Sequence, residues 1–366
     1  MHQGQSVEMI VRSAARSRPL LLALLSAMFL SWGAAAAAAA DQAPAKKPPP
    51  AAAKQAPAKT PPAAPAADKG KKDDKEKPLP PQDVTLRTSD GVQIVATYFP
   101  GAKGKESVPV VLLHMFKGSR KDYADLARYL QSQGYAVLVP DLRGHGDSTT
   151  RAGYRSEMLD ASKLSTQQFA LMGKWDMKAV RDFLWNRHNA GELNLNKLCV
   201  VGAEMGAAAA AGFSVYDAAG YGEGNPPGNP YYGPLQLGRF VKAMVLLSPE
   251  WAFKGLPIAD VRKNPAVLSQ IAVMIVVGGE TPKALAEAKR IHAIFKPYHP
   301  EPEGDNKGEK RTLFLGDLGT SLQGTKLLNA KELHVNDHIA QFISLRLIKT
   351  AEASGWAWKE LKRPHQ

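Results

Sequence analysis

The chain has 366 residues, of which 44% are hydrophobic and 22% charged, with 47 lysines and arginines against 34 acidic residues. This length allows one or two domains with a sizeable core, and the composition excludes collagen, a coiled coil and a polytopic membrane protein. The net charge of +13 is spread along the chain without a basic helix or a stripe of basic and aromatic residues, so we expect no nucleic-acid binding.

The first 40 residues have the pattern of an export signal. Arg12, Arg16 and Arg18 precede an apolar run over residues 20–32, and a run of alanines at 34–40 follows. A basic head, a short apolar core and small residues before a cleavage site are typical of a secretory signal peptide. The alternative is an uncleaved anchor, since residues 20–40 are just long enough to span a bilayer. We therefore expect a secreted or periplasmic bacterial protein that meets a membrane only through this segment, if it is uncleaved.

Residues 41–80 predict a disordered linker. They consist almost entirely of Ala, Pro, Lys, Asp and Gln, which bury too little apolar surface to offset the entropy lost on ordering. The linker is either an inert tether or a spacer that holds the domain away from a surface. The folded domain is predicted over residues 81–366.

From residue 81 the pattern alternates between strands and helices. Asp83–Thr88 and Val92–Phe99 predict an antiparallel hairpin, because apolar residues alternate on both sides of a turn at 89–91. Continuous apolar runs predict buried strands, and apolar spacing of three to four residues predicts helices. The further predicted strands are Val108–His114, Ala136–Pro140, Leu198–Val201, Val241–Leu247, Ile271–Val277 and Arg311–Leu315. The predicted helices are Asp122–Ser132, Trp175–Arg187, Ala207–Tyr216, Pro282–Phe295 and Val335–Ile348.

This alternation with short links is typical of an α/β domain, a mostly parallel central sheet with helices on both faces. Ligands of such sheets bind beyond the carboxyl ends of the strands, so functional residues are sought there. Trp356 and Trp358 fall after the last predicted helix, in a tail whose sequence looks exposed.

Three segments carry a resemblance to a known family. They are VVLLHMFKGS at 110–119, GYAVLVPDLRGHGDS at 134–148 and VVGAEMG at 200–206. Together they resemble the α/β-hydrolase fold family, nearest to its dienelactone-hydrolase and lysophospholipase-like branches. The resemblance covers roughly residues 81–349. It implies an α/β-hydrolase domain with a catalytic triad at the carboxyl ends of its strands.

The nucleophile of that family is missing here. Its chemistry needs a serine in a G-x-S-x-G turn, because the glycines permit a strained strand-to-helix turn that exposes the hydroxyl. In this chain Glu204 occupies the serine position between Gly202 and Gly206. The resemblance places the triad acid at Thr281, with Glu280 beside it or Glu250 after the preceding strand as a substitute.

The general base of the family is also missing. The resemblance places it at Gln323, and glutamine cannot accept and return a proton near neutral pH. His334 and His338 do not replace it, since the family's histidine comes well upstream of the closing helix that contains or adjoins them.

Further residues fall near strand ends. By resemblance, the backbone amides of Met205 and of Met115 or Phe116 are the oxyanion donors. His114, Asp141 and Glu250 are candidates for lining a ligand pocket. Their spacing is not a metal signature, so no metal site and no cofactor are predicted. The single cysteine, Cys199, cannot form an internal disulfide and is predicted to be a core residue.

The three changes at Glu204, Thr281 and Gln323 predict an exported pseudo-hydrolase. It would bind an unidentified small molecule or a partner at the cell envelope, as a binding or scaffolding module. The alternative is an active hydrolase of ester-like substrates that uses Glu204 as a carboxylate nucleophile or base.

Overall fold

The computed structural model describes residues 78–153, 157–220, 240–304, 307–351 and 354–362. The predicted signal peptide at 1–40 and nearly all of the predicted linker at 41–80 lie outside these residues and stay predictions. Within the described ranges, no helix is both long enough and apolar enough to cross a membrane.

An eight-stranded sheet forms the centre of the domain, with the spatial order β1-β2-β4-β3-β5-β6-β7-β8. β2 pairs antiparallel with β1 and β4, and every other neighbouring pair is parallel. The predicted mostly parallel sheet with an antiparallel amino-terminal hairpin is confirmed. The strands are β1 (Gln82–Arg87), β2 (Gln93–Phe99), β3 (Pro109–Leu113), β4 (Ala136–Pro140), β5 (Leu198–Ala203), β6 (Val241–Leu247), β7 (Ala272–Gly278) and β8 (Leu313–Leu318).

Helices cover the sheet and connect its strands. The longer ones are α1 (Ala124–Ser132), α2 (Met177–Asn189), α3 (Met205–Ala218), α4 (Pro282–Phe295) and α5 (Val335–Ile343). Short helices occupy Thr166–Ala170, Pro265–Gln270, Lys307–Lys310 and Lys326–Asn329. Two ribbons with two-residue strands lie outside the sheet, Thr150–Arg151 with Glu157–Met158 and Ala252–Phe253 with Leu256–Pro257.

Several helix boundaries differ from the predicted ones for a local reason. The helix predicted from Asp122 begins at Ala124, because a capping box between Ser119 and Asp122 first forms a 3₁₀ turn over Arg120–Tyr123. The helices predicted over Trp175–Arg187 and Val335–Ile348 each include a π-helical turn, at Met172–Asp176 and Ser344–Lys349. Apolar spacing does not distinguish such turns from α-helix.

The core lies on both sides of strands β3 and β5. These strands are completely buried, as their continuous apolar runs predict, and Cys199 is a buried core residue of β5. The first turns of α3 are a run of buried alanines, Ala207–Ala211. Such small side chains let α3 pack close to the sheet, which brings its amino terminus against the end of β3.

A buried ion network lies beside the carboxyl edge of the sheet. The Arg143 guanidinium donates hydrogen bonds to Asp176 at 2.6 and 2.8 Å and to Asp90 at 2.8 Å. All three side chains are less than a tenth exposed. The network joins the loop after β4 to the turn before β2 and to the segment that leads into α2, so it fixes the loop that carries the GHG sequence.

Replacing Asp176 by asparagine is expected to lower the free energy of unfolding by about 3 kcal/mol, because it leaves the buried Arg143 charge under-compensated. Urea denaturation would measure this. The matched control is Asp260→Asn, which breaks a surface pair with Lys263 whose two side chains are 40% and 72% exposed. That change should cost less than about 1 kcal/mol. Equal losses in the two variants would contradict a stabilising role for the buried network.

The carboxyl-terminal tail packs on the end of α2. The Trp358 ring stacks on His188 with centroids 5.0 Å apart, and its Nε1–H donates to the His188 carbonyl oxygen at 3.1 Å. The His188 ring donates in turn to the Lys359 carbonyl oxygen at 2.6 Å, and Asn189 exchanges two hydrogen bonds with Leu361. The tail that the sequence presents as exposed is therefore half-buried and specifically bound.

Candidate active site

The turn between β5 and α3 has the strained geometry of a nucleophile elbow. Glu204 adopts φ 48° and ψ −107°, a backbone conformation that side-chain-bearing residues rarely take. A Cβ atom on Gly202 would lie 2.2 Å from the Gly206 carbonyl oxygen, and one on Gly206 would lie 2.1 Å from the Leu113 carbonyl oxygen. Only glycine fits at both positions, so the two glycines hold residue 204 at the carboxyl edge of the sheet.

The Glu204 carboxylate is half-buried beside the loop that follows β8. A Cβ atom on Gly324 would lie 2.9 Å from Glu204 Oε1 and 3.1 Å from Met115 Sδ, so these groups are neighbours. Although Glu204 is at the amino terminus of α3, its side chain makes no capping hydrogen bond. Burial raises the pKa of Glu204, the Glu250 charge raises it further, and Lys326 opposes the shift.

Gln323 lies in the loop after β8, on the same edge of the sheet. Its Nε2–H donates to the Gly278 carbonyl oxygen at 2.8 Å, and its Oε1 is buried without a partner among the described residues. The next residue, Gly324, donates its amide to Ser248 Oγ at 2.9 Å. The structure thus brings the ends of β5, β6, β7 and β8 together around Glu204.

The predicted acid positions differ in their relation to Glu204. Thr281 is the residue before α4, and Glu280 is exposed, with its amide donating to the Thr320 carbonyl oxygen at 3.2 Å. Within the described part of the chain, neither side chain hydrogen-bonds to Gln323. Of the candidate acids, Glu250 is the one whose charge acts on Glu204. The pKa of Glu250 is itself raised, by burial and by the charge of Glu287.

The predicted oxyanion donors lie in two segments next to the elbow. Met205 is the first residue of α3, and Met115 follows the end of β3. No hydrogen bond among the described residues joins either amide to the Glu204 carboxylate. The Met115 carbonyl oxygen accepts from the Gly118 amide at 2.9 Å, which closes a tight turn after β3.

His114 is completely buried below this turn, and both of its ring nitrogens are bonded to the backbone. Its Nδ1 lies 2.8 Å from the Met115 carbonyl oxygen, and its Nε2 lies 3.0 Å from the Leu142 amide nitrogen. A carbonyl accepts and an amide donates, so Nδ1 carries the proton and the ring is neutral. Burial lowers the pKa of His114 to about 4. The ring joins two loops and has no free nitrogen for a ligand.

Asp141 is likewise bonded within the loop that follows β4. Its carboxylate pairs with Arg120 and accepts the backbone amides of Arg120 and Asp147, at 2.6 and 2.9 Å. A Cβ atom on Gly146 would lie 2.2 Å from Asp141 Oδ2, so this turn is built around the carboxylate. Of the three predicted pocket residues, Glu250 is the one whose charge raises the pKa of Glu204. Over the described ranges, no three His, Cys, Asp or Glu side chains are grouped closely enough to hold a metal ion.

An aromatic cluster beside Met115 is absent from the sequence-based predictions. Phe116, Phe169 and Phe253 form a triangle with ring centroids 5.4 to 6.0 Å apart. They come from the loop after β3, from the short helix Thr166–Ala170 and from the ribbon Ala252–Phe253. The sequence signal that could have located the ribbon is Lys254-Gly255, an X-Gly pair between short apolar segments.

Comparisons with known proteins agree with this geometry. Residues 108–211 match the family model described as alpha/beta hydrolase fold. The Pyrococcus furiosus esterase Pf2001 is similar in structure, with a TM-score of 0.50 and 15% identity, over 73% of this chain and 91% of that one. Two uncharacterized proteins from strains of Mycobacterium tuberculosis are 28% identical over 134 residues, 37% of this chain. The chain spans 41% of the length of these two relatives.

The family match covers β3 to α3, which includes the turn after β3, the GHG loop and the elbow. The similarity in structure covers most of the described domain, and at this level of identity it shows the fold. The strand order, the glycine-flanked turn at Glu204 and the match over residues 108–211 together show that the domain has the α/β-hydrolase fold.

Proposed function

We propose that this chain is a pseudo-hydrolase, a binding module that retains the elbow of the α/β-hydrolase fold without acyl-hydrolase chemistry. The observation that carries the proposal is that Glu204 occupies the elbow while Gln323 occupies the base position. Gln323 donates its amide to the Gly278 carbonyl oxygen, so it is held as a structural hydrogen-bonding residue.

The chemistry of ester hydrolysis explains why this pairing matters. A serine hydrolase needs a nucleophile, a base that takes its proton, and an acid group that orients the base. Even if Glu204 attacked a substrate, water would have to hydrolyse the resulting acyl-enzyme with the help of a base. Among the described residues, the ionisable groups that influence Glu204 are Glu250 and Lys326, and neither is a histidine. His114 is neutral and fully bonded to the backbone.

One observation favours a second candidate, an active hydrolase that uses Glu204 as nucleophile or base. The pKa of Glu204 is raised, and a raised carboxyl pKa is typical of groups that exchange protons near neutral pH. Glu250 is the acid that would assist, since its charge contributes to this shift. This candidate predicts ester turnover that depends on the Glu204 carboxylate.

Export is part of the proposal and is supported by the sequence alone. The basic, apolar and alanine-rich segments of residues 12–40 favour secretion or a periplasmic location, where the module would bind a small molecule or an envelope partner. Expression of the full chain in a bacterium, followed by fractionation and amino-terminal sequencing, tests this point. A cytoplasmic product that retains Met1 would contradict it.

The chemical proposal is tested by hydrolysis of p-nitrophenyl acetate and butyrate. The wild-type chain and the variant Glu204→Gln, which keeps the size of the side chain, are expected to give the same background rate. Glu332→Gln is the control, because Glu332 is an exposed carboxyl with no role in the candidate site. Turnover by the wild type that Glu204→Gln abolishes and Glu332→Gln leaves intact would replace the proposal with the active-hydrolase candidate.

A further inference from the structure

The ammonium group of Lys254 lies over the aromatic cluster. Lys254 Nζ is 4.4 Å from the ring centroid of Phe116, 5.1 Å from that of Phe169 and 5.7 Å from that of Phe253. Each distance is within the roughly 6 Å over which a cation is attracted to the face of an aromatic ring. The ammonium group therefore lies over three packed rings that come from three separate chain segments.

The backbone at Lys254 is strained, which indicates that this contact is not incidental. Lys254 has φ 33° and Gly255 has φ 88°, so the ribbon turns through two residues in the left-handed region. Asparagine, aspartate and glycine are the residues favoured at such positions, and a lysine there is unfavourable. A Cβ atom on Gly255 would lie 2.6 Å from the Thr166 carbonyl oxygen, so the turn is pressed against the helix that carries Phe169.

The cluster adjoins the elbow. Phe116 directly follows Met115, whose sulfur is beside the Glu204 carboxylate. Among the described residues, Lys254 forms no ion pair, and neither Glu204 nor Glu250 pairs with a cation. Aromatic faces therefore lie next to the Glu204 segment. The pKa of Glu204 is raised by burial and by the Glu250 charge, and Lys326 opposes this shift without forming an ion pair with any described residue. Such an environment favours a positively charged ligand over an anionic or neutral one.

We propose that the aromatic cluster of Phe116, Phe169 and Phe253 is a binding site for the ammonium group of a small organic cation, and that the side chain of Lys254 occupies it when the ligand is absent. The inference names the ligand class of the pseudo-hydrolase pocket and so rests on that proposed function. Lys254 is exposed, so its side chain can leave the cluster without unfolding the domain. An entering ammonium ion then replaces one cation on the rings by another.

This arrangement makes Lys254 a competitor of the ligand. An ammonium tethered to the same ribbon has a high effective concentration at the cluster, so it weakens binding of a free cation. Lys254→Asn removes the competitor and introduces a residue that tolerates the left-handed turn. Lys254→Arg keeps a cation of similar reach and serves as the matched control.

Choline is the probe, and the comparison compound is the uncharged alcohol that has carbon in place of the choline nitrogen. Titration calorimetry on the full chain is expected to show that Lys254→Asn binds choline about tenfold more tightly than the wild type or Lys254→Arg. The uncharged alcohol should bind Lys254→Asn at least about tenfold more weakly than choline does. Phe116→Leu, added to Lys254→Asn, should remove most of the gain.

Three results would overturn the inference. One is a Lys254→Asn variant that stays folded by circular dichroism and binds choline no better than the wild type. Another is equal binding of choline and the uncharged alcohol, which would show an apolar pocket only. The third is unchanged choline affinity after Phe116→Leu. Ester turnover measured on the same samples keeps the proposals separate, because turnover contradicts pseudo-hydrolase status without affecting the choline titration.

Discussion

The triple variant Glu204→Ser, Thr281→Asp and Gln323→His is expected to hydrolyse p-nitrophenyl acetate at least about a hundredfold faster than the wild-type chain. Loss of triad members costs roughly 10⁴ to 10⁶ in turnover, so restoring all three groups returns part of a large factor. The elbow needed to present a serine is already in place, since Gly202 and Gly206 make the close contacts that it requires. The gain is expected to be partial because the Met115 side chain, which lies beside residue 204, stays in place.

Two controls separate the contributions of these groups. Glu204→Ser alone is expected to show no gain, because Gln323 cannot act as a base. The variant with Glu204→Ala, Thr281→Asp and Gln323→His has the base and the acid without the nucleophile, and it should also remain at background. A gain in the single Ser variant as large as in the triple variant would contradict the assignment of residue 323 as the missing base.

Gly202→Ala is expected to lower the free energy of unfolding by at least about 4 kcal/mol. A loss this large is exceptional for a single substitution and is expected here because the new methyl group clashes with backbone atoms. The added methyl group would lie 2.2 Å from the Gly206 carbonyl oxygen and 2.6 Å from the Ala207 nitrogen. Both atoms belong to the backbone at the start of α3, so relief requires the helix to move away from β5. Urea denaturation followed by circular dichroism would measure the loss.

Gly212→Ala, in helix α3, provides the control. A Cβ atom there meets its nearest neighbours at 3.8 and 4.0 Å, which is ordinary van der Waals contact. Because alanine is a better helix former than glycine, this variant should gain about 0.5–1 kcal/mol. A similar destabilisation of both variants would contradict the prediction, because it would show that an added methyl group is unfavourable at α3 in general and not specifically at the elbow.

The elbow in this chain presents a carboxylate, that of Glu204, where the family presents a serine hydroxyl. The conformation of Glu204 costs of order 1–3 kcal/mol and persists because the surrounding glycine contacts leave no alternative path from β5 to α3. Its carboxylate is half-buried, without a described hydrogen-bond donor, and near a second carboxylate at Glu250. Negative charge at Glu204 and Glu250 would disfavour the oxyanion of ester hydrolysis at this position.

The pattern of apolar residues determines much of this fold. Strands β4 and β6 and helix α4 have the predicted boundaries, and the other strands fall within a few residues of their predicted positions. Buried parallel strands require continuous apolar runs, so their signal is local and strong. The resemblance of three short segments then extends this pattern to the α/β-hydrolase fold, which the match over residues 108–211 supports.

The positions of Glu204 and Gln323 also follow from the sequence, because the elbow glycines and the loop after the last strand mark them. The residues that surround these two side chains cannot be predicted from the sequence. Sequence spacing groups His114 and Asp141 with Glu250 as pocket residues, yet the first two are bonded to loop backbone and arginine groups on the interior side. The direction in which a side chain points from the end of a strand depends on the loops that fold over it.

The sequence by itself therefore determined the order of strands and helices, the absence of a serine and a histidine at the triad positions, and the glycines of the elbow. Only the tertiary structure decided which groups meet there: Glu204 with Glu250, Gln323 with Gly278, and Lys254 with the three phenylalanines. The physical reason is the range of the interactions. Periodicity and turn chemistry act between neighbours in the chain, whereas most of these contacts join residues more than 40 positions apart that the parallel sheet brings to one edge.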